Sequence, residues 1–276
     1  MSVACRHTLR GYVDIYDLNK AAWDHAVGEG TNPYTKVVPP EHVAAARHGT
    51  WSLSLSACKP VPKNWFPNLK GLKVLCLASG GGQQAPIFAA LGAEVTLLDA
   101  SPQQLAQDQF VAERDNLKIK LVEGDMADLS AFADESFELI YNQPSTLFVP
   151  DVAPVWRECY RVLQAGGVLM TGFMNPDEFI FDDVALDTEG IFVVKHPLPY
   201  AEHEALSQEA HEQRIRNKEM FHFSHTMEAQ LGGLTKAGFV ITSFYEDRRS
   251  EEDGNPIRHF MPSVYVARAQ KLAVQR

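Results

Sequence analysis

Between residues 71 and 175 the apolar positions fall into short continuous runs, at 73–77, 94–98, 118–122, 137–141 and 167–172. Each run is rich in Val, Leu, Ile or Met and is bounded by glycine or polar residues, so each reads as a strand buried on both faces. Helical patterns lie between them, roughly at 84–91, 102–115 and 152–163. Ser101-Pro102 gives the middle helix a capping side chain and a first-position proline. Gly166-Gly167 is expected to stop the last helix and start the next strand. Repeated strand–helix alternation predicts parallel strands, right-handed crossovers and helices on both faces.

The pattern differs on either side. Residues 12–23 can form an amphipathic helix, Asn32-Pro33 breaks it, and Pro39-Pro40 opens a helix-prone stretch at 41–48. Pro60, Pro62 and Pro67 mark an extended connector. After residue 175 the alternation stops. A helix ending near Gly238 is followed by strands 239–245 and 260–268, separated by a polar, turn-rich stretch. They predict a long-looped antiparallel hairpin at the sheet edge. The expected organisation is an N-terminal arm or cap over 1–70, a core over 71–175, an insertion over 176–228, and a helix and hairpin over 229–276 that complete the sheet.

Ligands of parallel sheets sit at the carboxyl ends of the strands. The loops there begin at Ala78, Asp99, Glu123, Asn142 and Phe173. Ser79 to Gly82 carry little side chain, so a ligand can approach the backbone, and the N–H groups opening the next helix are expected to be unpaired and to face it. Asp99 follows Gly80 by 19 residues, close to the spacing of an acid that takes a ribose diol. Together they imply a nucleotide-type cofactor. Gly80-x-Gly82-x-x-Ala85 also satisfies the dinucleotide pattern, so NAD is one competitor. At Glu123-Gly124-Asp125-Met126, the acid can accept from an adenine amino group beside an apolar side chain, or cap the next turn. Asn142-Gln143-Pro144-Ser145 is either a polar loop beside the reactive end of a cofactor or an ordinary turn. Trp23, Tyr34, Trp51 and Trp65 read as residues docking the arm, with Tyr34 the best candidate to roof a ligand.

Composition narrows the partners. Lysine and arginine number 25 against 35 acids, a formal charge of −10, which argues against broad nucleic-acid or anionic-membrane binding. Arg214, Arg216, Lys218, Arg248, Arg249 and Arg258 keep a local anion or RNA patch open. From Asp177 to Glu212 there are ten acids, one lysine and no arginine, which suits either a solvated insertion or a lid over the strand ends. His196, His203, His211, His222 and His225 lack compact metal-ligand spacing, so no metal site is expected, although any one is a candidate base. Cys5, Cys58, Cys76 and Cys159 are scattered without paired spacing. No apolar run approaches a membrane span, and the N-terminus lacks a signal-peptide core, so a cytoplasmic location is expected.

Val74-Leu75-Cys76-Leu77-Ala78-Ser79-Gly80-Gly81-Gly82, Leu97-Leu98-Asp99-Ala100-Ser101-Pro102, Glu123-Gly124-Asp125-Met126, Phe137-Glu138-Leu139-Ile140 and Arg161-Val162-Leu163-Gln164-Ala165-Gly166-Gly167-Val168-Leu169 together resemble the class I S-adenosylmethionine-dependent methyltransferases, of the bacterial small-molecule type. The resemblance implies a seven-stranded Rossmann-like α/β sheet, mostly parallel with an antiparallel edge hairpin, plus an N-terminal helical arm and a lid insertion. It implies S-adenosylmethionine as cofactor. Its binding residues would be Ala78, Ser79, Gly80, Gly82, Gln83, Asp99, Ala100, Gly124, Asp125, Met126 and Asn142. Asp99 would bind the ribose hydroxyls, Asp125 and Met126 the adenine, and Asn142 would lie near the sulfonium. The acceptor would be a small molecule, and no catalytic side chain is singled out. Two departures stand out: Cys76 replaces a frequent acid of strand one, and Ala78 replaces the first glycine. An NAD(P)-linked oxidoreductase and a non-catalytic S-adenosylmethionine binder are the alternative functions.

Overall fold

The computed structural model describes residues 14–273; Cys5 and the first two positions of the stretch 12–23 lie outside them. The chain opens with α1 (Ile15–Glu29), capped by Asp14, and α2 (Pro40–Arg47). The core runs β1 (Lys73–Leu77), α3 (Gln84–Ala90), β2 (Glu94–Asp99), α4 (Pro102–Arg114), β3 (Ile119–Glu123), β4 (Phe137–Asn142), α5 (Ala153–Val162) and β5 (Leu163–Met174). In the insertion lie α6 (Asp183–Glu189), α7 (Glu202–Ala205) and α8 (Gln208–Asn217). A π-helical turn at Glu228–Gly232 leads into α9 (Gly233–Ala237), followed by β6 (Val240–Asp247) and β7 (Val264–Gln270).

Among the described residues the seven strands form one sheet in the order β3-β2-β1-β4-β5-β7-β6. Strands β1 to β5 are parallel, and β7 inserts antiparallel between β5 and β6. The order reverses between β1 and β4, the switch point where an open α/β sheet leaves a crevice. Side chains alternate across the sheet. Val74 and Cys76 of β1 belong to one buried cluster, with α3 and the arm residues Val43, Leu53, Leu55, Val61 and Trp65. Leu75 and Leu77 belong to the other, with Val155, Trp156 and Cys159 of α5 and Leu234 of α9. The continuous apolar runs are thus explained by cover on both faces.

Two boundaries differ from expectation. Chain pairing with β4 begins at Leu163, directly after α5, and Gly166 (φ 86°) lies within β5 at a register shift, so Gly166-Gly167 forms an irregularity and does not start the strand. The last strand begins at Val264 and not Phe260, because Pro256–His259 coils into a short 3-10 turn.

Candidate functional site

The parallel register brings the carboxyl ends of four strands side by side. Leu77 lies opposite both Leu98 and Asn142, and Asp99 opposite Glu123. The loops after them therefore share one edge, and the residues singled out above meet along it. Ala78 adopts a left-handed backbone (φ 46°) where the resemblance expects glycine, and Gly81 (φ 110°) and Gly82 (φ 71°) follow in the same region. A Cβ on Gly80 would lie 2.6 Å from the Cβ of Gln104, and one on Gly81 would lie 2.5 Å from the Tyr34 carbonyl. The small residues are thus demanded by the protein's own packing.

The N–H groups of the three glycines in the turn are not free. Gly80 N–H donates to Asp99 Oδ2 at 2.8 Å. Gly81 and Gly82 N–H both donate to Asp108 Oδ2, at 3.0 and 2.9 Å. Two carboxyl groups therefore occupy the place an anionic ligand would take. This arrangement is poor for a pyrophosphate, which needs those N–H groups. It remains compatible with a cofactor whose reactive end is cationic.

Asp99 is half-buried, and its Oδ1 accepts from Ser101 N–H at 2.9 Å. Burial raises its pKa, against the lowering effect of the Ser101 and Gly80 N–H bonds. At the end of β3, Asp125 Oδ1 accepts from Ala127 N–H at 2.9 Å in a turn that does not continue as a helix. Burial also raises this carboxyl's pKa. Met126 is half-buried, and its sulfur lies 3.8 Å from Ser145 Oγ. Asn142 is fully buried. Its amide donates to the Leu77 carbonyl and Ser145 Oγ, each at 3.0 Å, and its oxygen accepts from Thr171 Oγ1 at 2.9 Å. The position lies on the edge, while the side chain ties β1, β4 and β5 together. The Tyr34 ring is exposed, so the arm covers the turn with main chain instead: Val38 N–H donates to the Gly82 carbonyl at 2.8 Å, and Gln83 Nε2 donates to the Pro33 and Lys36 carbonyls.

Helix α1 crosses this edge. Lys20 pairs with Glu123 after β3. Asp24 Oδ1 accepts from Ser101 Oγ at 2.6 Å, at the start of α4. Trp23 meets the Phe148 ring edge-on at 5.4 Å, beyond β4. Asn19 donates to the carbonyls of Phe148 and Phe221 at 3.0 Å and accepts from Phe221 N–H at 2.7 Å. The insertion closes from the other side, where Phe223 N–H donates to the Leu147 carbonyl at 2.8 Å. Behind it, buried Glu202 accepts from Arg214 at 2.9 Å, from His222 N–H at 2.9 Å and from His222 Nδ1 at 3.2 Å. His225 Nε2 is 2.9 Å from the Thr146 carbonyl, and burial lowers its pKa. Among the described residues no group of three or more His, Cys, Asp or Glu is placed to hold a metal ion, and no helix is long and apolar enough to cross a membrane. The basic residues raised as an anion patch are largely neutralised: Arg249 pairs with Glu178 and Asp253, Arg258 with Glu251, Arg214 with Glu202 and Glu219, and Arg216 with Glu212.

Sequence reasoning missed Asp108, Asn19, Lys20 and Asp24. Asp108 had a readable signal. Gln104, Leu105, Asp108, Val111 and Ala112 are the buried positions of α4, so an acid occupies an otherwise inward-facing stripe.

Residues 75–171 match the methyltransferase domain family. A Bacillus subtilis (strain 168) protein described as the uncharacterized methyltransferase YbaJ is 49% identical over 230 residues, covering 83% of this chain and 89% of the relative. Sterol 24-C-methyltransferase ERG6B of Gibberella zeae is 34% identical over 128 residues, covering 43% of this chain and 33% of its own. Among solved structures, an S-adenosylmethionine-dependent methyltransferase from Mesorhizobium loti superposes with a TM-score of 0.58 at 19% identity, over 75% of this chain and 94% of that one. One described as a putative enzyme of the same kind, from Listeria monocytogenes, gives 0.56 at 17% identity, over 83% of this chain and 99% of that one.

Proposed function

We propose a small-molecule methyl acceptor for this chain, which belongs to the class I S-adenosylmethionine-dependent methyltransferases. The observation that carries the proposal is the cover over the strand ends: α1 reaches from Glu123 to Phe148, and the insertion bonds to both Leu147 and Asn19. A folded macromolecule has poor access to an edge roofed from both sides, and the acid-rich insertion repels nucleic acid.

The residues present fit the cofactor. The side-chain-poor turn Ala78 to Gln83 offers a surface for close approach, and the Gly80, Gly81 and Gly82 N–H groups are committed to the Asp99 and Asp108 carboxyl groups, which leaves them unavailable to an anionic ligand. Asp99 and Ala100 are assigned to the ribose, and Gly124, Asp125 and Met126 to the adenine. The backbone around Asn142 is assigned to the sulfonium end, since the Asn142 amide is already saturated. S-adenosylmethionine supplies an activated methyl group on a sulfonium, which is displaced in line by the acceptor. This chain's contribution is then alignment and exclusion of water, and alignment alone is worth about 7–11 kcal/mol at best. Residues 176–228 act in this reading as the lid. The lack of any membrane-spanning helix among the described residues accords with the proposed cytoplasmic location.

Calorimetric titration with S-adenosylmethionine, S-adenosylhomocysteine and NAD tests the cofactor site. Both adenosyl ligands are expected to bind, NAD is not, and Asp99→Ala is expected to weaken binding at least tenfold. Incubation of the enzyme with methyl-labelled cofactor and a desalted cell extract, resupplied with its small-molecule fraction, tests the acceptor. Label is expected in acid-soluble products. Label confined to precipitated protein or nucleic acid sinks the small-molecule reading.

A further inference from the structure

The acid that most constrains the glycine turn is neither of those the sequence points to. Asp108 projects from α4 and is fully buried. A charged group there costs stability unless it is well bonded, and an apolar residue would pack with the Leu105, Val111 and Ala112 beside it. Its Oδ2 instead collects two consecutive N–H groups, those of Gly81 and Gly82, both buried and both in left-handed backbone. Without this oxygen Gly82 N–H would lose the acceptor found for it, and Gly81 N–H would keep only the Gln104 carbonyl at 3.2 Å. Leaving such a buried donor unmet carries its full desolvation penalty, enough to reshape the turn.

We infer that Asp108 is a positioning residue for the cofactor, holding the Gly81 and Gly82 N–H groups inward and thereby fixing the surface on which the cofactor lies. The inference rests on the reading that the cofactor binds at this turn. Three observations support it. Position 76, where an acid is expected on β1, holds a cysteine, and Asp108 lies close enough to help raise the pKa of that thiol, so the acid beside the turn is delivered from α4. The arm grips the same turn through the Gly82 carbonyl and by contact with Gly81, so the loop is fixed from two elements. Finally, Asp108 Oδ1 and Gln104 Oε1, one helical turn apart, are buried without hydrogen-bond partners. This suits a neutral carboxyl whose Oδ1 carries a proton, and an asparagine can reproduce it, with the amide oxygen accepting from the turn.

The test is calorimetric titration of wild type, Asp108→Asn and Asp108→Ala with S-adenosylhomocysteine, well below each protein's melting temperature. Asp108→Asn is expected to bind within about twofold of wild type, and Asp108→Ala about tenfold or more weakly while remaining folded by circular dichroism. If the alanine variant does not fold, Asp108→Leu, which fills the space without offering an acceptor, replaces it with the same expectation. A folded alanine or leucine variant with wild-type affinity overturns the inference, as does an asparagine variant as weak as alanine. Folded wild type that binds no S-adenosylhomocysteine sinks the cofactor reading itself, a result distinct from either.

Discussion

Burial pushes the Asp108 carboxyl up to about 7, with the nearby Asp99 charge adding to the rise and the two glycine N–H bonds opposing it. The folded protein therefore holds a proton that the unfolded chain has released above about pH 4. Its contribution to stability is complete below the unfolded value and is lost as pH rises through the folded one. Asp108→Asn has no such proton to lose. Urea unfolding at pH 5 and pH 8 is expected to show the variant gaining about 2–3 kcal/mol on wild type between the two pH values. An unchanged difference would mean that Asp108 titrates normally. Comparison with the variant is needed because other groups titrate in the same window, such as His225, whose pKa burial lowers and which therefore slopes the other way. The glycine turn and Asp99 were legible in the sequence because strand, turn, helix and strand follow one another directly. Asp108 bonds to N–H groups 26 and 27 residues away, and no local pattern announces that pairing. Asn142 was legible as a position and not as a side chain, since Leu77 on β1 and Thr171 on β5 become its neighbours only in the sheet.

At the scale of elements, α1 is held largely by side-chain polar bonds. Its buried residues are Asn19 and Ala22, and its ties to the core are the Asn19 bonds, Lys20–Glu123, Asp24–Ser101 and the Trp23 ring contact. Elements with little apolar burial open locally at low cost. Asn19→Ala leaves the buried Phe221 N–H without the partner it has in the wild type, a loss of about 1–3 kcal/mol. Amide exchange over 15–29 is expected to accelerate about tenfold or more, and S-adenosylhomocysteine release, followed by stopped flow, to accelerate with it. Unchanged release would place the cofactor's exit elsewhere. The core elements were legible because each strand is buried on both faces and each helix has a cap, a proline or a glycine at an end. Helices α6 to α8 were not, because α8 has no buried residues and α6 and α7 have one each, leaving scarcely any apolar period to read. Helix α1 was placed, but its contacts were not, because Asn19 meets residues 129 and 202 positions further along the chain.

The whole molecule joins a sheet with two apolar clusters to an insertion organised around charge. Glu202 is nearly inaccessible, and Arg214 meets it while also donating to the Met220 carbonyl and pairing with Glu219. All of these partners lie within the insertion, whereas its ties to the rest run through other residues: Phe223 to Leu147, Phe221 to Asn19, His225 to Thr146, His222 to Phe148, Glu178 to Arg249, Asp187 to Asn255 and Phe192 to Phe260. Breaking a buried pair by removing one partner costs about 3–5 kcal/mol, because the other charge stays behind. In Arg214→Ala that cost is expected to fall on the insertion alone. Exchange over 202–224 should rise, the main melting transition should stay within a few degrees of wild type, and S-adenosylhomocysteine affinity should change less than twofold. If the insertion walls the acceptor site as proposed, methyl transfer should fall more than tenfold, because that wall has lost its internal support. If the main transition falls as far as the insertion's protection, the charge network belongs to the core, and the insertion does not work as a separate lid. If transfer is retained while the insertion is loosened, the acceptor is held by α1 and the β4 loop without it.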